Sequence, residues 1–184
     1  MGLLGDSLYR AVQGAFTRPI PKSAPAQMRY LVKQLKTTRA VAELLEISQR
    51  TVERYVNGQI KRPRPGLATR LEREVTRRWQ PNIRARAKQA AATTGGIVID
   101  TRARFGFTAA PGTTDDARMR LITQALPPEY AARLFAAQDQ GADEQHLRAI
   151  AAEALQDVYF RDRGRRAAGL QVEFTDLDYV DFEL

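Results

Sequence analysis

Apolar residues recur every four positions at Leu4, Leu8, Val12 and Phe16, which predicts a short amphipathic helix stopped by Arg18-Pro19-Ile20-Pro21. A second helix is expected from Pro25 to Lys36, with proline in its first turn, Met28, Leu31 and Leu35 facing inward and Lys33 and Lys36 facing out. The next pattern is a helix over about Arg39 to Leu45, a turn at Glu46-Ile47-Ser48 and a helix from Gln49 to Val56. Ala42 is small where the two helices cross, Leu45, Ile47 and Val52 fill the wedge, Ser48 is placed to cap the second helix, and Asn57-Gly58 ends it. Leu67, Leu71 and Val75 mark a further helix, and Pro81 opens another. From Ile97 to Thr108 the period changes to two, which predicts a strand with one face buried. Leu170, Val172 and Phe174 alternate with polar residues in the same way, so the two segments are expected to pair in a small sheet. Between them lie helical patterns over about 115–126, 128–139 and 143–161. The stretch from Gln171 to Leu184 has five acidic residues and no basic one, and reads as an acidic tail or as a strand with a negative face. The expected fold is mostly α: a helical helix-turn-helix domain over 1–92, then a smaller α+β domain with a short sheet over 93–184, divided at Thr93-Thr94-Gly95-Gly96.

Charge sharpens this division. The chain of 184 residues carries 29 basic and 21 acidic side chains, net +8, and its 43% hydrophobic content suffices for a core. Residues 1–92 hold 19 basic against 6 acidic side chains, whereas 93–184 hold 10 against 15. Such asymmetry points to a polyanion partner for the first half. No apolar run reaches membrane-span length and no signal peptide is evident, so a cytoplasmic chain without a membrane partner is expected. Asp6 stands where a myristoylation signal after Met1-Gly2 needs Ser or Thr. With no Cys and a single His146, disulfide scaffolds, thiol nucleophiles, zinc fingers and Ser-His-Asp triads are removed, and His146 is assigned no role.

In a helix-turn-helix the start of the second helix reaches base edges, which makes Gln49 and Arg50 the candidate readers, with Thr51 and Arg54 nearer the backbone. The plainer alternative is an αα-hairpin with a polar face. Glu46 departs from the motif, where the turn usually has Gly. Lys61-Arg62-Pro63-Arg64-Pro65-Gly66 is a Pro-stiffened basic stretch suited to a minor groove or a phosphate backbone, or else a solvated linker. Arg70, Arg73, Arg77 and Arg78, followed by Arg84, Arg86 and Lys88, continue the positive surface.

The short N-terminal helix, the motif AELLEISQRTVERYVNGQ, the Arg-rich extension, the strand GGIVIDTRARFGF and the sequel TAAPGTTDDARMRLITQALPPEY together resemble the telomeric terminal proteins of linear Streptomyces chromosomes and plasmids. The resemblance covers essentially the whole chain. It implies a DNA-terminal protein that becomes joined through a side-chain hydroxyl to the 5′ end of DNA and primes end-patching synthesis opposite a single-stranded 3′ end. Its implied partners are telomeric DNA, a DNA polymerase and a telomere-associated protein, with self-association possible, at a nucleoid position on chromosome or plasmid ends. The chain would be the acceptor of deoxynucleotidylation rather than an independent enzyme, having no Walker-type loop or catalytic cluster of its own. It needs no cofactor or metal site, because the divalent metal, Mg or Mn, comes with the polymerase and its nucleotide.

A priming hydroxyl must sit where another protein's active site can receive it, and 109–116 has the look of an exposed loop joining a strand to a helix. Thr113 with Asp116 three residues on resembles a capping box, leaving the hydroxyl of Thr114 free at the first helical position. Thr114 is therefore the first candidate for the linkage, as the resemblance also suggests, and Thr113 the second. Asp115 and Asp116 either orient the hydroxyl or supply favourable charge at a helix start. A negative second half would suit a polymerase cleft that normally holds DNA. The rival expectation is a helix-turn-helix transcription or plasmid-copy regulator whose second half only dimerises.

Overall fold

The computed structural model describes residues 2–109, 112–115, 118–161 and 169–184. Its chain divides into two compact units, one over Thr17–Pro81 and the other joining Met1–Phe16 to Asn82–Leu184. No described helix is long and apolar enough to cross a membrane.

The unit over 17–81 is all helical. α1 (Leu3–Gly14) belongs elsewhere, and this unit begins with α2 (Ala24–Leu35), followed by α3 (Thr38–Leu45), α4 (Gln49–Val56) and α5 (Pro65–Arg78). Proline stands in the first turn of α2 and of α5, where a missing N–H costs nothing. Met28 and Leu31 of α2, Val41 and Leu45 of α3, Val52 of α4 and Leu71 and Val75 of α5 are wholly enclosed in one apolar cluster. Outside it, Trp79 tilts against Tyr30 at 4.7 Å between ring centres and donates its indole N–H to the Arg18 carbonyl at 3.0 Å, which fastens the two ends of the unit.

The second unit is α+β and is the larger of the two, not the smaller as expected. It comprises α1, α6 (Pro81–Ala90) with a π-helical turn at Ala91–Gly95, β1 (Ile97–Ala109), β2 (Gly112–Asp115), β3 (Arg120–Leu126), α7 (Pro128–Asp139), α8 (Glu144–Leu155) with a π-helical turn at Gln156–Phe160, and β4 (Gln171–Glu183). β1 is central. β4 runs antiparallel along one of its sides, and β3 and then β2 occupy the other, so four strands make three rows. The pairing of β1 with β4 agrees with the expectation, and the acidic C-terminal stretch is strand rather than tail. Ile97, Ile99, Ala103 and Phe105 point from β1 into the core, together with Ile122 and Leu126 of β3 and Val180 and Phe182 of β4. Leu4, Leu8 and Val12 of α1 and the inner faces of α7 and α8 complete that core.

Four expectations need correction. The boundary does not fall at 92/93: α1 packs on β4, because the apolar stripe of α1 has its complement there, and α6 belongs to the same unit, held to α1 through Arg84 and to α7 through Lys88. Gly96 is a packing residue rather than a linker; its φ of +68° and the Leu126 carbonyl oxygen, 2.2 Å from where a Cβ would stand, admit only glycine. Within the segment expected as a helix over 115–126, Asp115 is the end of β2 and residues 120–126 are β3. Ile122 and Leu126 lie four apart, a spacing that suits both periods, and it is alternation with Thr123 and Ala125 that the structure uses. The helix expected over 143–161 is regular only to Leu155.

Candidate nucleic-acid interface

The helix-turn-helix is built as its residues require. Thr37 caps α3 by accepting the Ala40 N–H at 3.1 Å, and Ser48 caps α4 by accepting the Thr51 N–H at 3.2 Å. Between them Glu46 takes φ 53° and ψ 48°, the left-handed conformation usually filled by glycine, while the Ile47 N–H donates to the Ala42 carbonyl at 3.0 Å and closes the turn. Ala42, Leu45 and Val52 are buried and Ile47 is half-buried in the wedge, as the pattern predicts.

This arrangement leaves one face of α4 in solvent, carrying Gln49, Arg50, Glu53, Arg54 and Asn57. Arg50 and Arg54 are exposed, and neither is drawn into an ion pair among the described residues. Gln49 is more constrained. Its amide nitrogen donates to Thr38 Oγ1 and to Glu53 Oε1, each at 3.0 Å, which fixes its carbonyl oxygen as the free end. Thr51 spends its hydroxyl on Ser48 at 2.8 Å. At the far end of α4 the Arg29 guanidinium donates to the Val56 carbonyl at 3.0 Å. Its place 27 residues away gave the sequence no signal for this contact. A cation there complements the negative end of the helix dipole.

Lys61, Arg62 and Arg64 are exposed on the extended run between α4 and α5. Burial raises the Tyr55 phenol above its ordinary value, and the positive charge of Arg64 opposes that shift. On α5, Arg73 and Arg77 are exposed, Arg70 is half-buried, and Arg78 is half-buried in a pair with the buried Glu74. Altogether residues 17–81 hold 15 basic and 5 acidic side chains, so the +13 of 1–92 is concentrated in this one unit.

Arg84 and Lys88 belong to the other unit and are occupied there. Arg84 stacks on the Tyr9 ring at 5.0 Å and donates to its hydroxyl at 3.0 Å. Lys88 pairs with Asp139 at 2.6 Å, lies 5.2 Å from the centre of the Phe135 ring and has a largely buried side chain. Both tie α6 to its neighbours, which accounts for their charge without DNA.

The candidate hydroxyls also lie in this α+β unit. Thr113 pairs with Thr108 and Thr114 with Phe107, both within β2, so the capping-box register expected for them does not form and Thr114 does not start a helix. Asp115, paired with Gly106, likewise sits in a strand and not at a helix N-terminus, and Asp116 lies outside the described residues. Ala109 pairs with Gly112, so β1 and β2 form a hairpin. His146 is exposed on α8. Among the described residues no three carboxylate or imidazole groups converge as a metal site requires. Comparison with protein-family models, curated proteins and solved structures finds no match to this chain.

Proposed function

We propose that the chain is a DNA-terminal protein: residues 17–81 hold the DNA of a linear replicon's end, and a threonine of β2 takes the first nucleotide. The observation that carries the DNA-binding part is the capped α3–turn–α4 arrangement, with Arg50 and Arg54 exposed on one face of a strongly basic unit. Arg54 and the 61–64 run approach phosphates, while Arg50 reaches a base edge and the free oxygen of Gln49 accepts from an exocyclic amine beside it.

In the priming step the Thr114 hydroxyl oxygen attacks the α-phosphorus of an incoming deoxynucleoside triphosphate. The bond to pyrophosphate breaks, pyrophosphate leaves with that electron pair, and the hydroxyl proton passes to a base of the polymerase. The polymerase supplies the metals that this chemistry uses. What the chain contributes is placement: β2 is a short strand of four residues that pairs with the end of β1, and a hairpin of that kind enters a cleft more readily than a hydroxyl on a sheet interior. Thr114 remains first because of the resemblance, with Thr113 second.

Incubation with a 3′-tailed telomeric end, divalent metal, a DNA polymerase and a labelled nucleotide should label the chain covalently. Thr114→Ala should abolish the label while Thr114→Ser keeps an acceptor oxygen. Equal labelling of wild type, Thr114→Ala and Thr113→Ala would remove β2 from the mechanism. The regulator reading draws on a different observation, that among the described residues no strand or helix backbone pairs with the outer side of β3, an edge suited to dimerisation, and predicts specific duplex binding with no covalent product at all.

A further inference from the structure

The sheet has one closed edge and one open edge. On the β4 side α1 lies against the strand: the Phe182 N–H donates to Ser7 Oγ at 2.9 Å, the Ser7 hydroxyl donates to Asp181 at 2.7 Å, and Arg10 pairs with Asp181 at 3.2 Å. Register shifts between Arg102 and Ala103 and between Arg104 and Phe105 interrupt the same ladder. A covering helix and bulges are the devices by which proteins stop a strand edge from templating another chain.

Among the described residues β3 has neither device. It ends the sheet beside residues 97–103 of β1, with seven paired positions and no register shift. From Leu121 to Leu126 it contains no charge and no proline, and among the described residues no strand or helix backbone pairs with its outer side. Leu121 is 71% exposed, the most exposed large apolar side chain among the described residues, and Thr123 and Ala125 are exposed beside it on the face away from the helices.

We propose that β3 pairs antiparallel with β3 of a second copy of this chain, about a two-fold axis at Thr123. The strand is its own complement in that register. Leu121 faces the partner's Ala125 and gains the apolar cover it lacks, Ile122 faces the partner's Gln124, and Thr123 faces the partner's Thr123, so no like charges oppose one another. Symmetry selects the direction as well: a two-fold axis perpendicular to the sheet brings the same edge of two copies together antiparallel with their buried faces on one side, whereas parallel pairing of that edge turns the buried faces to opposite sides. Facing residues share a side, which keeps both helical layers on one side of a doubled sheet. A single strand edge buries less than the roughly 800 Å² per partner of a stable interface, so the pairing is a concentration-dependent equilibrium. It is independent of which DNA the helical unit holds, and places two such units in each dimer.

The absence of cysteine from the chain makes the test clean. Directly opposed residues of an antiparallel pair lie about 4.5–5.5 Å apart at Cα, within disulfide reach. Under mild oxidation Thr123→Cys should therefore form a covalent dimer about tenfold faster than Thr175→Cys, a control thiol exposed on β4. In sedimentation velocity the wild-type chain should pass from monomer to dimer with rising concentration. Leu121→Lys together with Ala125→Lys, both at exposed positions, should move that midpoint about tenfold higher with an unchanged circular dichroism spectrum. A monomer at every concentration, a dimer whose midpoint the lysine pair leaves in place, or crosslinking at 123 no faster than at 175 would each overturn the proposal.

Discussion

Single residues carry the strain and the support of this fold. Glu46 holds a left-handed backbone that an L side chain adopts at a cost of about 1–2 kcal/mol, because the chain must reverse there to bring α4 across α3. Glu46→Gly should therefore raise the urea midpoint, by the equivalent of about 0.5–1 kcal/mol once the greater chain entropy of glycine is set against the relief. In the other unit Ser7 is the corresponding support. It accepts the buried Phe182 N–H and donates to Asp181, so Ser7→Ala should cost about 1–3 kcal/mol by leaving that N–H unpaired. The Ser7 hydroxyl, with Arg10 and the Phe182 N–H, also holds the Asp181 carboxyl below its ordinary value. A depressed folded-state value means the stabilisation is fully present above the unfolded carboxylate range and is lost as pH falls through the folded value. Urea midpoints measured from neutral pH down to about pH 3 should fall less steeply for Asp181→Asn than for wild type.

At the level of elements, what the sequence disclosed depended on whether one period or one local motif was enough. The α3–turn–α4 unit was fully legible, since Ala42, Ser48 and Asn57-Gly58 act within a few residues of where they stand. The alternation of β1 was equally plain, because one face of it is buried along most of its length. β3 was not legible: its apolar residues four apart satisfy a helix as well as a strand, and only pairing with a segment about twenty residues earlier decides between them. The same ambiguity displaced Thr113 and Thr114 from a helix start to a strand. Nor did charge alone separate Arg50 and Arg54, which stand free in solvent, from Arg84 and Lys88, which are bound within their own unit. Replacing Arg50 and Arg54 together by Ala should weaken DNA binding, relax its sequence preference and reduce the slope of log affinity against log salt by about one, whereas the same change at Arg84 and Lys88 should lower stability and leave that slope alone. Anisotropy titrations over a range of salt concentrations read both effects.

For the whole molecule, the division of labour follows the two compact units rather than the two halves of the sequence. The first sixteen residues belong with the sheet, so a fragment starting at residue 93 lacks Leu4, Leu8 and Val12, each at most 3% exposed, and should not give a cooperative unfolding transition. A fragment over 17–81 keeps its whole apolar cluster and should both fold and bind DNA. If 17–81 is unfolded while 93–184 melts cooperatively, the assignment of α1 is wrong. The covalent step is the claim on which the functional account turns, and wild-type chain alone tests it. After labelling on a telomeric end and digestion with trypsin, the peptide Phe105–Arg118, whose hydroxyls are those of Thr108, Thr113 and Thr114, should carry the mass of one nucleotide in the mass spectrum, with fragmentation placing it on Thr114. A nucleotide on any other peptide, or an unmodified chain after a reaction in which the polymerase was active, would contradict it.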